Sequence, residues 1–113
     1  MIKLKRGNIY SKIPPVRKKE LLQSLLATKK FKIERIVSQG QSTPNGTWLT
    51  DARDEWVMVV KGAGVLRFRK NKRVIQMKAG DYLFIPARTG HRVEETAAKE
   101  KTIWLVVYSS LSL

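Results

Sequence analysis

The stretch from Gly80 to Glu95 constrains the fold more than any other part of the chain. It sets a turn, a short apolar strand and a histidine-led second strand in fixed register. Ala79-Gly80-Asp81 is a turn signal. Tyr82 to Ile85 is an apolar run of strand length, rich in aromatic and branched residues. Pro86 cannot donate to a ladder and ends it. After a loop carrying Arg88 and Gly90 the chain resumes at His91, and period-two alternation places His91, Val93 and Glu95 on one face. The single histidine of the sequence is thereby expected to face an interior.

The rest of the chain reads as the barrel around that stretch. Gly7 to Ile13 is an irregular arm or edge strand, stopped by Pro14-Pro15. Val16 to Ala27 has Leu21, Leu22, Leu25 and Leu26 at three-to-four spacing, which predicts one short N-terminal helix covering an open side of the barrel. Phe31 to Ser38 alternates as a half-buried strand, with Lys32, Glu34, Ile36 and Ser38 on one face. Pro44-Asn45-Gly46 marks a turn before a short strand from Thr47 to Asp51. Glu55 to Lys61 is almost wholly apolar and is expected to be covered on both faces. Val65 to Arg69 and Arg73 to Lys78 form a hairpin with one apolar and one basic face. Thr96 to Lys101 is a polar loop, and Thr102 to Tyr108 is a closing buried strand. The predicted architecture is all-β, a barrel or two-sheet jelly roll.

Composition narrows the function classes. The 113 residues make one domain, with residues 1–30 as arm and helix, 31–109 as barrel and 110–113 as tail. The absence of cysteine excludes disulfides, thiol catalysis and cysteine-held metal. No stretch approaches the roughly 20 apolar residues of a membrane span, and the basic N-terminus leads into no apolar core, so a cytoplasmic protein is expected. Lys and Arg number 23 against 9 Asp and Glu, a net charge of +14. These cations gather in the first third and in the hairpin at Arg67, Arg69, Lys70, Lys72 and Arg73. A basic module for nucleic acid or another polyanion is therefore the alternative reading. The aromatic residues sit inside apolar runs, unlike stacking platforms, and no nucleic-acid-binding motif is present.

The central stretch resembles the second motif of the cupin superfamily, with Gly80, Pro86 and His91 in register. Arg88 stands where the family has glycine, and Glu95 where it has asparagine. Glu55 and Gly62 match the first cupin motif, but its histidine positions fall on Leu49 and Asp51, or on Trp48 and Thr50. The segments Ile33 to Val37 and Arg53 to Val57 are also similar to those of a group of small bacterial and archaeal cupins. The resemblance implies a double-stranded β-helix of jelly-roll type, a homodimer, and a divalent metal (iron, manganese, nickel or zinc) inside the barrel. Carried over by position, Glu55 and His91 are the expected metal ligands, with Asp51 as a third if its strand turns it inward.

Without a metal, Glu55 and His91 are the candidate catalytic pair, a carboxyl and an imidazole placed for acid–base work such as isomerisation. An inert polar pair fits the same residues. Trp48 and Tyr82 are candidate lining residues of a small-molecule pocket. Arg53 and Arg88 are candidates for pairing with a carboxylate or phosphate on an anionic ligand.

Overall fold

The computed structural model describes residues 3–110, and within them eight strands form two antiparallel sheets. They are β1 (Leu21–Ala27), β2 (Phe31–Ser38), β3 (Asp54–Lys61), β4 (Ala63–Phe68), β5 (Val74–Lys78), β6 (Tyr82–Ile85), β7 (His91–Thr96) and β8 (Thr102–Ser109). The larger sheet has the order β1-β2-β8-β3-β6 and the smaller β5-β4-β7. Their facing sides enclose a core of Val57, Val59, Leu66, Met77, Ile85, Trp104 and Val106. This is the expected all-β jelly roll. The expected tail reaches past Ser110 to residues outside the described ones.

The N-terminal helix is not found: no helix occurs among the described residues, and Leu21 to Ala27 pairs with β2. The leucine spacing misled because the ladder shifts between Ser24 and Leu26, leaving Leu25 as an extra residue. A β-bulge of this kind lets two leucine pairs four residues apart sit on a pleated strand. The expected helix from Val16 to Ala27 would also be only marginally stable at that length, whereas pairing satisfies the backbone groups along the edge of β2. The Thr28 to Phe31 turn closes the hairpin, with Thr28 Oγ1 accepting from the N–H groups of Lys30 and Phe31. The strand predicted at Thr47 to Asp51 shrinks to a single bridge between Leu49 and His91.

A second bulge lies in β7. Leu66 opposes Val93 but Val65 opposes Glu95, so Glu94 is the unpaired extra residue. Alternation reverses there: His91 and Thr96 are buried while Glu95 is exposed. The expectation that Glu95 shares the face of His91 is therefore corrected. Thr96 opposes Gly64, where a Cβ would collide with the Trp104 indole.

Two cross-strand rows cover the outer face of the larger sheet. One runs Ile33, Val107, Trp56, Phe84, and the next runs Arg35, Leu105, Met58, Tyr82. Arg35 is buried because its guanidinium donates to the carbonyls of Asn8, Ile9, Ser11 and Lys12 and to Gln23, clamping the N-terminal arm onto the sheet. The arm is irregular, as one of its two expected forms required. At the other end of the rows, Tyr82 and Phe84 remain exposed. No helix of the described residues is long and apolar enough to cross a membrane.

Candidate functional site

Glu55 lies in β3 between Ile85 of β6 and Tyr108 of β8, and this register turns its side chain into the barrel. His91 opens β7, paired with Phe68 of β4 and held on its other side by two backbone hydrogen bonds with Leu49. The two meet across the gap between the sheets. His91 Nε2 lies 3.7 Å from Glu55 Oε2, and both side chains are about nine-tenths buried. That separation is too long for a hydrogen bond. His91 Nδ1 is 2.9 Å from the Thr89 carbonyl, which can only accept, so Nδ1 carries a proton and the neutral ring presents the Nε2 lone pair toward Glu55.

The Glu55 carboxyl accepts no hydrogen bond from any described residue, and it borders a cavity of about 80 Å³. Apolar side chains, among them Ile36, Val57, Leu66 and Trp104, make most of the remaining wall, with Glu20 and Tyr108 as further polar members. Burial pushes the carboxyl up to about 7, with the negative charge of Asp51 adding to the effect and Arg53 opposing it. At neutral pH Glu55 is thus close to half protonated, able to donate or to accept. Glu20 is also raised by burial, partly offset by a hydrogen bond from Ser38. Burial and nearby carboxylates raise the Tyr108 phenol, whose O–H is directed at Glu34.

The other expected site residues lie elsewhere. Asp51 is gripped by Arg53, which reaches Oδ1 at 2.9 Å and Oδ2 at 3.0 Å. This pairing lowers the Asp51 carboxyl, and the Arg53 guanidinium stacks 4.5 Å over the Tyr108 ring. Arg88 is exposed and adopts a left-handed φ of 61°, the conformation for which its motif position favours glycine. Its N–H donates to the Asp51 carbonyl. Trp48 does not line the cavity, and Tyr82 stacks on Trp56 at 5.6 Å on the outer face. The structure thus brings together Glu55 and His91, and holds Asp51, Arg53, Arg88, Trp48 and Tyr82 apart from their gap.

Sequence reasoning missed Glu20 and Glu34. Glu20 was lost with the helix assignment. Glu34 shares the inward parity of Ile36 on β2, a signal that alternation carried.

The residues present do not fit a divalent metal. A metal held by protein side chains takes three or more donors, and among the described residues no three His, Cys, Asp or Glu side chains converge. Both Asp51 oxygens are taken by Arg53, and Glu34 is paired with Lys32 at 2.9 Å.

Comparison with known proteins gives the following likenesses. The cupin domain family model matches residues 35–108. A crystal structure of a Ralstonia eutropha JMP134 protein, provisionally assigned as a mannose-6-phosphate isomerase, is 40% identical, covers 96% of this chain and 100% of its own, and superposes with a TM-score of 0.90. A cupin superfamily protein from Desulfitobacterium hafniense DCB-2 shares the fold at 17% identity and a TM-score of 0.74, over 95% of this chain and 93% of its own. An RmlC-like cupin from Desulfovibrio desulfuricans does so at 18% identity and 0.73, over 94% and 97%. No curated protein matches the sequence.

Proposed function

We propose for this chain, which belongs to the cupin family, that its interior pocket binds the reacting end of a small molecule and that Glu55 and His91 move a proton on it. The observation that carries this reading is the gap of 3.7 Å between two buried polar groups, neither of which hydrogen-bonds the other. Arg92 Nε is the one sealed side-chain polar atom without a hydrogen bond among the described residues, so the Glu55 oxygens stay open to the cavity and to a ligand in it. A ligand hydroxyl beside the two, donating to His91 Nε2 and accepting from the protonated Glu55 carboxyl, would satisfy both.

The two groups offer complementary chemistry. The Nε2 lone pair is a base, and Glu55, raised to about 7, is both acid and base. Such a pair can take a proton from one atom of a ligand and deliver one to its neighbour, with no other reagent. The Ralstonia eutropha relative carries an isomerase assignment, and isomerisation is a reaction of this kind.

The test is proton exchange. Hydroxy-carbonyl compounds are incubated with the protein in D₂O, and deuterium at the carbon next to the carbonyl is followed by NMR. Glu55→Gln and His91→Ala should each slow exchange by about 100-fold or more, the usual contribution of a general acid or base. Exchange that survives both substitutions, or that the wild-type protein never catalyses, refutes the reading.

A further inference from the structure

We propose that the groove outside the pocket is an anion subsite, in which Lys18 and Lys19 hold the phosphate or carboxylate end of the ligand whose other end reaches Glu55 and His91. This deepens the acid–base reading and rests on it. The interior cavity of about 80 Å³ is well short of the roughly 300 Å³ at which small-molecule sites begin, so only the reacting end of a ligand fits inside. A groove of about 390 Å³ adjoins it, with Glu20, Leu49 and Val93 forming part of both walls. A molecule entering the barrel by that wall leaves its remainder in the groove.

The chemistry of the groove states what that remainder is. Lys18 and Lys19 line it, together with the hydroxyl-bearing Ser42 and Thr47. Among the described residues neither lysine is within ion-pair distance of a carboxylate, whereas Lys32, Arg53, Arg67 and Arg92 all are. The groove has one carboxyl, Glu20, which sits on the shared wall and hydrogen-bonds Ser38. An anion in the groove meets two uncompensated ammonium groups and hydroxyl donors, and the net charge of +14 draws anions toward the surface as a whole. Of Arg53 and Arg88, the cations expected from the sequence to do this, the first is bound to Asp51 and neither lines the groove. The ligand class is a short hydroxy or oxo compound ending in a phosphate or a carboxylate.

Calorimetric titration of the full chain tests this with glucose 6-phosphate against glucose, 3-hydroxybutyrate against 1,3-butanediol, and inorganic phosphate alone. The wild-type protein should prefer an anion to its neutral counterpart by about tenfold, less at high salt, and the arm that shows it separates phosphate from carboxylate. Lys18→Ala/Lys19→Ala should abolish the preference. Both side chains are exposed, so the fold is kept. Lys29→Ala/Lys30→Ala removes the same charge from the β1–β2 turn and should leave the preference intact. The proposal is overturned by a wild-type protein that binds none of these probes or shows no preference. It is also overturned if the double variant keeps the preference, or if the turn variant loses it equally. Proton exchange by Glu55→Gln is scored separately, so failure of the subsite and failure of the acid–base pair are told apart.

Discussion

Replacing Glu55 by glutamine should stabilise the protein above pH 7 and leave it nearly unchanged at pH 4. Burial holds the folded-state carboxyl at about 7 against an ordinary 4.5. Between those values the folded chain keeps a proton that the unfolded chain has released, so stability falls as pH rises through that window. Above it both states are ionised and the loss is complete. Each pH unit of separation is worth about 1.4 kcal/mol, which makes the whole loss about 3 kcal/mol. Glutamine has nearly the same shape and never ionises, so it escapes the loss. Urea unfolding of both proteins from pH 4 to pH 9 gives the comparison, and about 3 kcal/mol at alkaline pH separates the midpoints by roughly 1 to 3 M. Glu20 is raised by burial as well, and its slope has the same sign in both proteins, so it cancels in the difference. Two proteins that lose stability in parallel across the range would refute a carboxyl raised by burial at position 55.

Arg88→Gly should raise stability by about 0.5 to 1 kcal/mol: it removes the left-handed cost of a side chain at φ 61°, less the extra freedom glycine gives the unfolded chain. A lowered urea midpoint would mean that the Arg88 side chain contributes more than its backbone costs. A second copy, expected from the family, would pack on the outer rows ending at Tyr82 and Phe84, where both rings are exposed and the one charged member, Arg35, is spent on the arm. Tyr82→Lys/Phe84→Lys should then halve the mass measured by sedimentation equilibrium, and an unchanged oligomer would place association on another face.

The strands with strong local patterns were legible. Tyr82 to Ile85, Trp56 to Val60 and Ile103 to Val107 announce themselves by apolar, branched and aromatic runs between turn residues, and the structure has them as β6, β3 and β8. That Glu55 and His91 both turn into the interior was legible through their register to Gly62, Gly80 and Pro86. What the sequence hid has one recurring cause. Bulges at Leu25 and Glu94 add a residue without any compositional mark, and each shifts the parity by which facing is inferred. The first made a strand look helical and concealed Glu20; the second made Glu95 look internal. The fate of Asp51 was local enough to foresee, since an arginine two residues on in a turn can fold back onto both carboxylate oxygens. Trp48 and Tyr82 were assigned by residue type, which says nothing about the side of the sheet they occupy.

The bulge in β7 also bears on how the chain tolerates a change of length. In a regular strand, deleting one residue turns every later side chain to the opposite face. Glu94 has no opposite number, so its deletion would leave Val93 against Leu66, one glutamate against Val65, and Thr96 against Gly64. The ion pairs from Glu94 to Arg67 and Arg92 would go, while the facing of the ladder would not change. Position 94 is thus a point at which barrels of this design can differ by one residue and still keep His91 and Thr96 turned to the same interior.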